Sequence, residues 1–314
     1  MDKISIIGTG SVGSTIAYTL TVMGLASEIV MIDINNEKAL GEALDIRQVT
    51  AFCAGCSVYA GDYRDAEGSD IVILTSGIAR RPGQTRLELA QTNVNITKSI
   101  IPEIVKYAPN AIYIIVSNPV DILTYTFNKY SGLPESHIIG SGTILDTARL
   151  RARLSEYFNI NQGNVHAYVF GEHGDTSFIP WSVANISNVP IEKCRDLITT
   201  PGIIAPKLDY ADIEQYVRKS GGRVIARKGA TFYAVSISVC HICKCLSGSI
   251  DTTMTVSTMM HGEYGIDDVC LSTLNMIGRN GIRGKVNLSL TDEETAKLRH
   301  SADTLKDVIK SLDI

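Results

Sequence analysis

Residues 3–34 constrain this chain more than any other stretch. Lys3 to Gly8 is an apolar, strand-like run, Gly8-Thr9-Gly10-Ser11-Val12-Gly13 follows it directly, and a helical pattern opens at Ser11 to Ser14 and ends near Gly24. A second strand, Glu28 to Asp33, ends in an acid twenty residues beyond Gly13. A glycine-rich turn alone is weak and is usually just a turn. Between a strand and a helix, with that acid behind it, it reads as a dinucleotide-binding loop. The glycines let a pyrophosphate approach the backbone, the helix N-terminus offers partial positive charge, and Asp33 can accept hydrogen bonds from an adenosine ribose. Because Asp33 would repel a 2′-phosphate, NAD is expected over NADP.

The alternation continues through helix Asn36 to Val49, strands Ser57 to Ala60 and Asp70 to Thr75, and helix Leu87 to Tyr107. Strand Ala111 to Ser117, helix Val120 to Tyr130 and strand His137 to Gly140 complete it. Six strands alternating with helices predict an α/β fold with a doubly wound parallel (Rossmann) sheet. From Thr143 the pattern changes. It runs through helix Ile144 to Phe158, strand-like Asn164 to Phe170, the turn-rich Gly171-Glu172-His173-Gly174-Asp175 and a mixed region from Lys193 to Gly222. A long apolar helix from about Gly229 to Leu246, strand-like Met254 to Ser257 and Val269 to Asn275, and a charged helix from Asp292 to Leu312 follow. We therefore expect a nucleotide-binding domain at 1–142 and an α+β catalytic domain at 143–314, packed tightly because no flexible linker separates them.

Composition narrows the class of partner. A net charge of −4 argues against nucleic acid or an anionic membrane. No run approaches the roughly 18 apolar residues of a membrane span, and Met1-Asp2-Lys3 leads into a strand instead of a signal segment, so a cytoplasmic protein is expected. Seven cysteines, an odd number, suit a reducing compartment better than a disulfide framework. Cys53 and Cys56, and Cys240, Cys243 and Cys245 with His241, have spacings that raise zinc. The second group sits in an apolar helical stretch, where cysteine behaves as a small buried hydrophobe, so no metal is expected.

Ligands of such sheets bind at the carboxyl ends of strands, here Thr75 onward and Ser117-Asn118-Pro119. Thr75 to Arg86 leaves a strand, passes Pro82-Gly83 and delivers Arg80, Arg81 and Arg86 toward one place. Taken alone, each arginine reads as a solvated surface ion pair, and a lone histidine is more often structural than catalytic.

Five motifs in order change that weighting. Gly8-Thr9-Gly10-Ser11-Val12-Gly13, Thr85-Arg86-Leu87, Ser117-Asn118-Pro119-Val120-Asp121, Gly140-Ser141-Gly142-Thr143 with Asp146 and Arg149, and Gly171-Glu172-His173-Gly174-Asp175 resemble the L-lactate/malate dehydrogenase family from end to end. The resemblance implies that His173, exposed between its glycines, is the general acid/base and that Asp146 holds its tautomer and stabilises the imidazolium. Such a pair suits a ketone reduction, which leaves an alkoxide in need of a proton. The resemblance further implies that Arg149 clamps the substrate carboxylate through a planar fork, that Arg86 polarises the reacting carbonyl with help from Asn118, and that Thr231 walls the pocket. The cofactor would lie along Gly8, Gly10, Val12, Gly13, Asp33, Lys38, Tyr63, Gly77, Ser99, Ser117, Asn118 and Ser141.

Within this resemblance Arg80 falls where lactate dehydrogenases typically carry glutamine and malate dehydrogenases arginine. It would pair with the distal carboxylate of oxaloacetate, whereas beside the methyl of pyruvate it would be desolvated without a partner, a loss of several kcal/mol. Leu87-Glu88-Leu89, Gly171-Glu172-His173, Pro180-Trp181-Ser182 and Gly229-Ala230-Thr231 look like the lactate branch instead, and Arg81 leaves room for a one-residue shift of the loop. The expectation is an NAD-dependent L-2-hydroxy acid dehydrogenase acting on malate/oxaloacetate. Pyruvate/lactate is the alternative, and a non-catalytic NAD-binding homologue is the alternative of another class. Arg151 and His166 match positions at which bacterial lactate dehydrogenases bind fructose 1,6-bisphosphate, which implies a homotetramer with that effector.

Overall fold

The structure, a computed structural model, describes residues 2–78, 85–197 and 207–314. In chain order the elements are β1 (Lys3–Ile7), α1 (Ser11–Met23), β2 (Glu28–Ile32), α2 (Asn36–Val49), β3 (Ser57–Ala60), β4 (Ile71–Leu74) and α3 (Arg86–Tyr107). β5 (Ile112–Ile115), α4 (Val120–Ser131), β6 (Ile138–Gly140), α5 (Ile144–Phe158), β7 (Val165–His166), β8 (Asn185–Ile186), β9 (Val189–Pro190) and α6 (Cys194–Leu197) come next. α7 (Tyr210–Lys228), α8 (Tyr233–Leu246), β10 (Thr252–His261), β11 (Asp267–Gly278), β12 (Gly281–Lys285) and α9 (Asp292–Lys310) complete the set.

The six expected parallel strands are present, in the order β3-β2-β1-β4-β5-β6. Their residues are apolar on both faces because helices cover both. α1 and α8 pack on one face with Ile16, Leu20, Val239 and Leu246, and α3, α4 and α9 pack on the other with Val94, Ile104, Phe127 and Leu298. The strand order reverses between β1 and β4. There the two carboxyl ends lie so close that a Cβ on Gly8 would stand 2.7 Å from the backbone N of Ser76. A crevice at that switch point is where a doubly wound sheet binds its ligand.

The second half differs from the expected short strands. β10, β11 and β12 form an antiparallel meander that joins the parallel sheet through Ser257 opposite Gly140, so one nine-stranded sheet runs through both halves. The apolar helix expected from Gly229 begins at Tyr233, and the mixed region before it holds α7, whose glycine pair Gly221-Gly222 weakens the helical signal. Among the described residues no helix is long and apolar enough to cross a membrane. All seven cysteines are free thiols, and Cys240 and Cys243 are buried in the core beside α1.

Candidate active site

Two helix starts and one loop build the site. The capping box of Thr85 and Glu88 starts α3 at Arg86, which fixes that arginine at the head of the helix. α5 carries Asp146 and Arg149 at i and i+3, on one face, and Arg149 Nη1 donates to Asp146 Oδ1 at 2.8 Å. His173 arrives on the loop after β7, which is clipped to β11 by Gly171 pairing with Ser272. Its Nδ1 lies 2.6 Å from Asp146 Oδ2, and its backbone N–H donates to Asp121 Oδ2 at 2.7 Å.

These groups border a cavity of about 550 Å³. Val12, Gly77, Ser117, Asn118, Asp146, Arg149, His173 and Thr231, all expected site residues, line it. His173 is less open than its flanking glycines suggested, with 28% of its side chain exposed, because α4 and α5 back it. Arg86 does not line the cavity: it pairs instead with Asp175, which does. Arg80 lies outside the described residues.

The electrostatics favour a charged couple. The Asp146 carboxylate is the main reason that the His173 pKa is pushed up to about 9, with burial opposing and the Asp121 charge adding to it. Burial pushes Asp146 up, but the charges and hydrogen bonds of His173 and Arg149 outweigh it and leave the carboxyl below its ordinary range. Asp121 has a different balance. Burial raises it to about 6 against the hydrogen bond from Ser257 and the N–H of His173. With Nδ1 turned to Asp146, His173 Nε2 is left without a partner among the described residues, on a side chain that lines the cavity.

The first loop fits a dinucleotide. A Cβ on Gly13 would stand 1.9 Å from the Gly8 carbonyl oxygen, whereas one on Gly10 would meet nothing within 4 Å among the described residues. Gly13 is thus needed by the fold, and Gly10 leaves open space at the start of α1, which no side chain caps. Burial raises Asp33, but hydrogen bonds from Thr9 and Asn35 and the charge of Lys38 keep it below the usual carboxylate range. Asp33 Oδ1 accepts one hydrogen bond, from Asn35 N, which leaves it acceptor capacity for a ribose hydroxyl. Its charge also acts on Tyr63, so Asp33, Lys38 and Tyr63 form one neighbourhood. Ser99 is exposed on α3 with its hydroxyl bonded to Ile96 O, and Ser141 is buried at the end of β6. Neither lines the cavity.

The profile described as lactate/malate dehydrogenase, NAD binding domain, matches residues 2–140, and the one described as lactate/malate dehydrogenase, alpha/beta C-terminal domain, matches residues 143–313. The chain belongs to the lactate/malate dehydrogenase family. It is an NAD-dependent dehydrogenase. It is 45% identical over 314 residues, the full length of both proteins, to the L-lactate dehydrogenase of Thermoanaerobacterium saccharolyticum. It is 47% identical over 312 residues, 99% of this chain and 98% of the relative, to L-lactate dehydrogenase 1 of Clostridium acetobutylicum. The crystal structure of the minor L-lactate dehydrogenase of Enterococcus mundtii, in its ligands-bound form, superposes with a TM-score of 0.94 at 36% identity, covering 100% of this chain and 99% of that one.

These relatives overturn the expected malate/oxaloacetate preference, because full-length homologues at this identity are named lactate dehydrogenases. The expectation placed a desolvated, unpaired Arg80 against the substrate, and position in the sequence does not set either condition. The described arginines in and beside the cavity show how a guanidinium escapes that cost: Arg149 and Arg218 on its wall pair with Asp146 and Glu214, and Arg86 outside it pairs with Asp175.

Several residues of the site were not foreseen. Asp121 and Ser257 lie beneath the His173 backbone, Asn93 bonds Ile78 N and the Asn118 carbonyl oxygen, and Arg218 lines the cavity while donating to Ser177 O. Asn93 had a readable signal, a polar side chain seven residues beyond Arg86 on the inward face of α3.

Proposed function

We propose that this dehydrogenase interconverts pyruvate and L-lactate. The His173–Asp146 couple beside Arg149, on a cavity that also takes in the dinucleotide-loop residue Val12, supports this reading most. NADH, when bound, supplies a hydride to the ketone carbon. Arg149 holds the substrate carboxylate through two parallel hydrogen bonds, which fixes the ketone against the His173 side of the cavity. His173 donates the proton on Nε2 to the carbonyl oxygen as negative charge develops there, and Asp146 keeps the resulting neutral ring in the Nδ1–H tautomer. Arg86, released from Asp175, stabilises the same oxygen, with the Asn118 amide beside it. In lactate oxidation the neutral ring takes the hydroxyl proton.

The test is kcat/KM for pyruvate and for oxaloacetate with NADH. A preference for oxaloacetate would overturn the substrate assignment, and NADH binding without turnover of either acid would favour a non-catalytic homologue.

The protein is further read as a homotetramer. Exposed apolar side chains on α1 (Tyr18, Val22), α2 (Leu40, Leu44) and α8 (Tyr233, Ile237) support burial against other copies. Fructose 1,6-bisphosphate at Arg151 and His166 is the proposed effector. Arg151 is largely buried, donates only to Ala167 O among the described residues and stacks on Tyr168, and burial pushes its pKa down, so a phosphate would relieve an uncompensated charge. Titrating the bisphosphate while following activity and sedimentation checks both, and no response in either removes the effector. Free thiols support a cytoplasmic location.

A further inference from the structure

One stripe of α7 faces the cavity. Arg218, Gly221, Gly222 and Ile225 recur at the i, i+3, i+4, i+7 spacing of a single helix face, and all four line it. Two consecutive glycines inside a 19-residue helix weaken it. The usual reasons for tolerating them do not apply. Neither has a left-handed backbone. Among the described residues neither makes way for a close neighbour, since a Cβ on Gly222 would meet none of their atoms within 4 Å, and one on Gly221 would meet Arg149 Nη2, at an ordinary 3.7 Å. The missing methyl groups therefore leave volume, and that volume adjoins the guanidinium proposed to hold the substrate carboxylate.

The surroundings say what suits it. Ile225, 48% exposed, presents bare apolar surface to the cavity, and Thr231, just before α8, and Val235, in its first turn, bound the same cavity. The one charge on the stripe is already committed, because Arg218 pairs with Glu214 at 2.6 Å and donates to the Ser177 carbonyl oxygen at 3.0 Å. We infer that the site accepts 2-oxo acids whose apolar side chain is longer or more branched than the methyl of pyruvate, with Gly221 and Gly222 setting that limit. This extends the dehydrogenase reading above and rests on it.

The experiment measures kcat/KM with NADH for pyruvate, 2-oxobutyrate, 4-methyl-2-oxopentanoate and phenylpyruvate, in the wild type and in Gly221→Ala, Gly222→Ala and the double variant. The wild type is expected to reduce at least one of the larger acids within about tenfold of pyruvate. Each alanine should lower the ratio of larger acid to pyruvate by about tenfold, in line with the discrimination that one methylene commands in an apolar pocket. NADH fluorescence titration and thermal melting establish that the variants are folded, and melting should shift upward because alanine favours the helix. A wild type that prefers pyruvate to every larger acid by more than about a thousandfold overturns the inference, as do variants in which all four acids fall in parallel. If pyruvate itself is not reduced, the dehydrogenase reading fails with it, a result distinct from a strict pyruvate enzyme.

Discussion

Replacing Asp146 by Asn keeps the size of the side chain and a potential acceptor for His173 Nδ1, but removes the charge. In the wild type that charge is the main reason the imidazole pKa reaches about 9 against an ordinary 6.5. Losing it surrenders roughly 3 kcal/mol of imidazolium stabilisation if the ring returns to its ordinary value. The Asp121 charge holds back part of the fall and burial adds to it, so the ordinary value is a fair endpoint. At pH 8 the protonated fraction then drops roughly thirtyfold. Loss of the fixed tautomer should cost on the order of a further tenfold. The assay is the pH profile of kcat/KM for pyruvate with NADH from pH 5.5 to 10. The wild type should hold a plateau that falls near pH 9, and the Asp146→Asn profile should fall about two and a half pH units lower. At pH 5.5, where both rings are protonated, the gap should shrink to the tautomer loss alone. Lactate oxidation needs the neutral ring, so at neutral pH it should suffer less than reduction. A ratio of wild type to variant that stays constant across the range would refute the argument, because Asp146 would then act through geometry only.

Arg149→Lys keeps the charge but loses the two-pronged grip, and KM for pyruvate should rise by roughly a hundredfold with a smaller change in kcat; an unchanged KM would remove Arg149 from the carboxylate site. Gly13→Ala forces a Cβ to 1.9 Å from the Gly8 carbonyl oxygen and should lower the melting temperature, while Gly10→Ala meets nothing within 4 Å among the described residues and should melt like the wild type yet bind NADH more weakly. Equal melting and equal NADH affinity in Gly10→Ala would remove that residue from the cofactor site. The folded His173 pKa lies above its unfolded value, so the stability the ring gains is full below about pH 6.5 and disappears as pH rises through about 9. The melting gap between the wild type and His173→Asn should therefore narrow between pH 6 and pH 10, and a gap that widens would contradict the assigned shift.

What could be read along the chain was local. Gly8 to Gly13 with Asp33 and the Asp146–Arg149 spacing each depend on neighbours within a turn or one strand-helix unit, whereas the expected start of α3 at Leu87 is one residue late because it leaves the Thr85–Glu88 capping box unread. What could not be read depends on distant chain. Asp121 looks like an ordinary first-turn acid of α4 that favours a helix start, and only the fold brings the His173 N–H and the Ser257 hydroxyl onto it. β12 and the full lengths of β10 and β11 were hidden because an antiparallel meander joins the parallel sheet only once Ser257 meets Gly140. α7 was blurred by the same glycine pair that opens the cavity, which forfeits roughly 1 kcal/mol of helix propensity per residue.

The substrate error has a similar origin. Reading Arg80 from its place in the loop suggests a site built for a dianion, but a cation adds to the field at a substrate only if it lacks a partner. Arg149 and Arg218 on the cavity wall and Arg86 beside Asp175 each have a carboxylate within ion-pair distance, and Asp121 adds a buried acid beneath His173. Among the described residues, the positive charge near the cavity is thus largely balanced before substrate arrives. A second substrate carboxylate would compete with acids already in place for the same guanidinium groups, whereas a single carboxylate needs only the fork of Arg149 and an apolar side chain needs none of them. Charge balance among the described residues, which depends on which side chains meet across the fold, therefore points the same way as the relatives: toward a 2-oxo acid with one carboxylate.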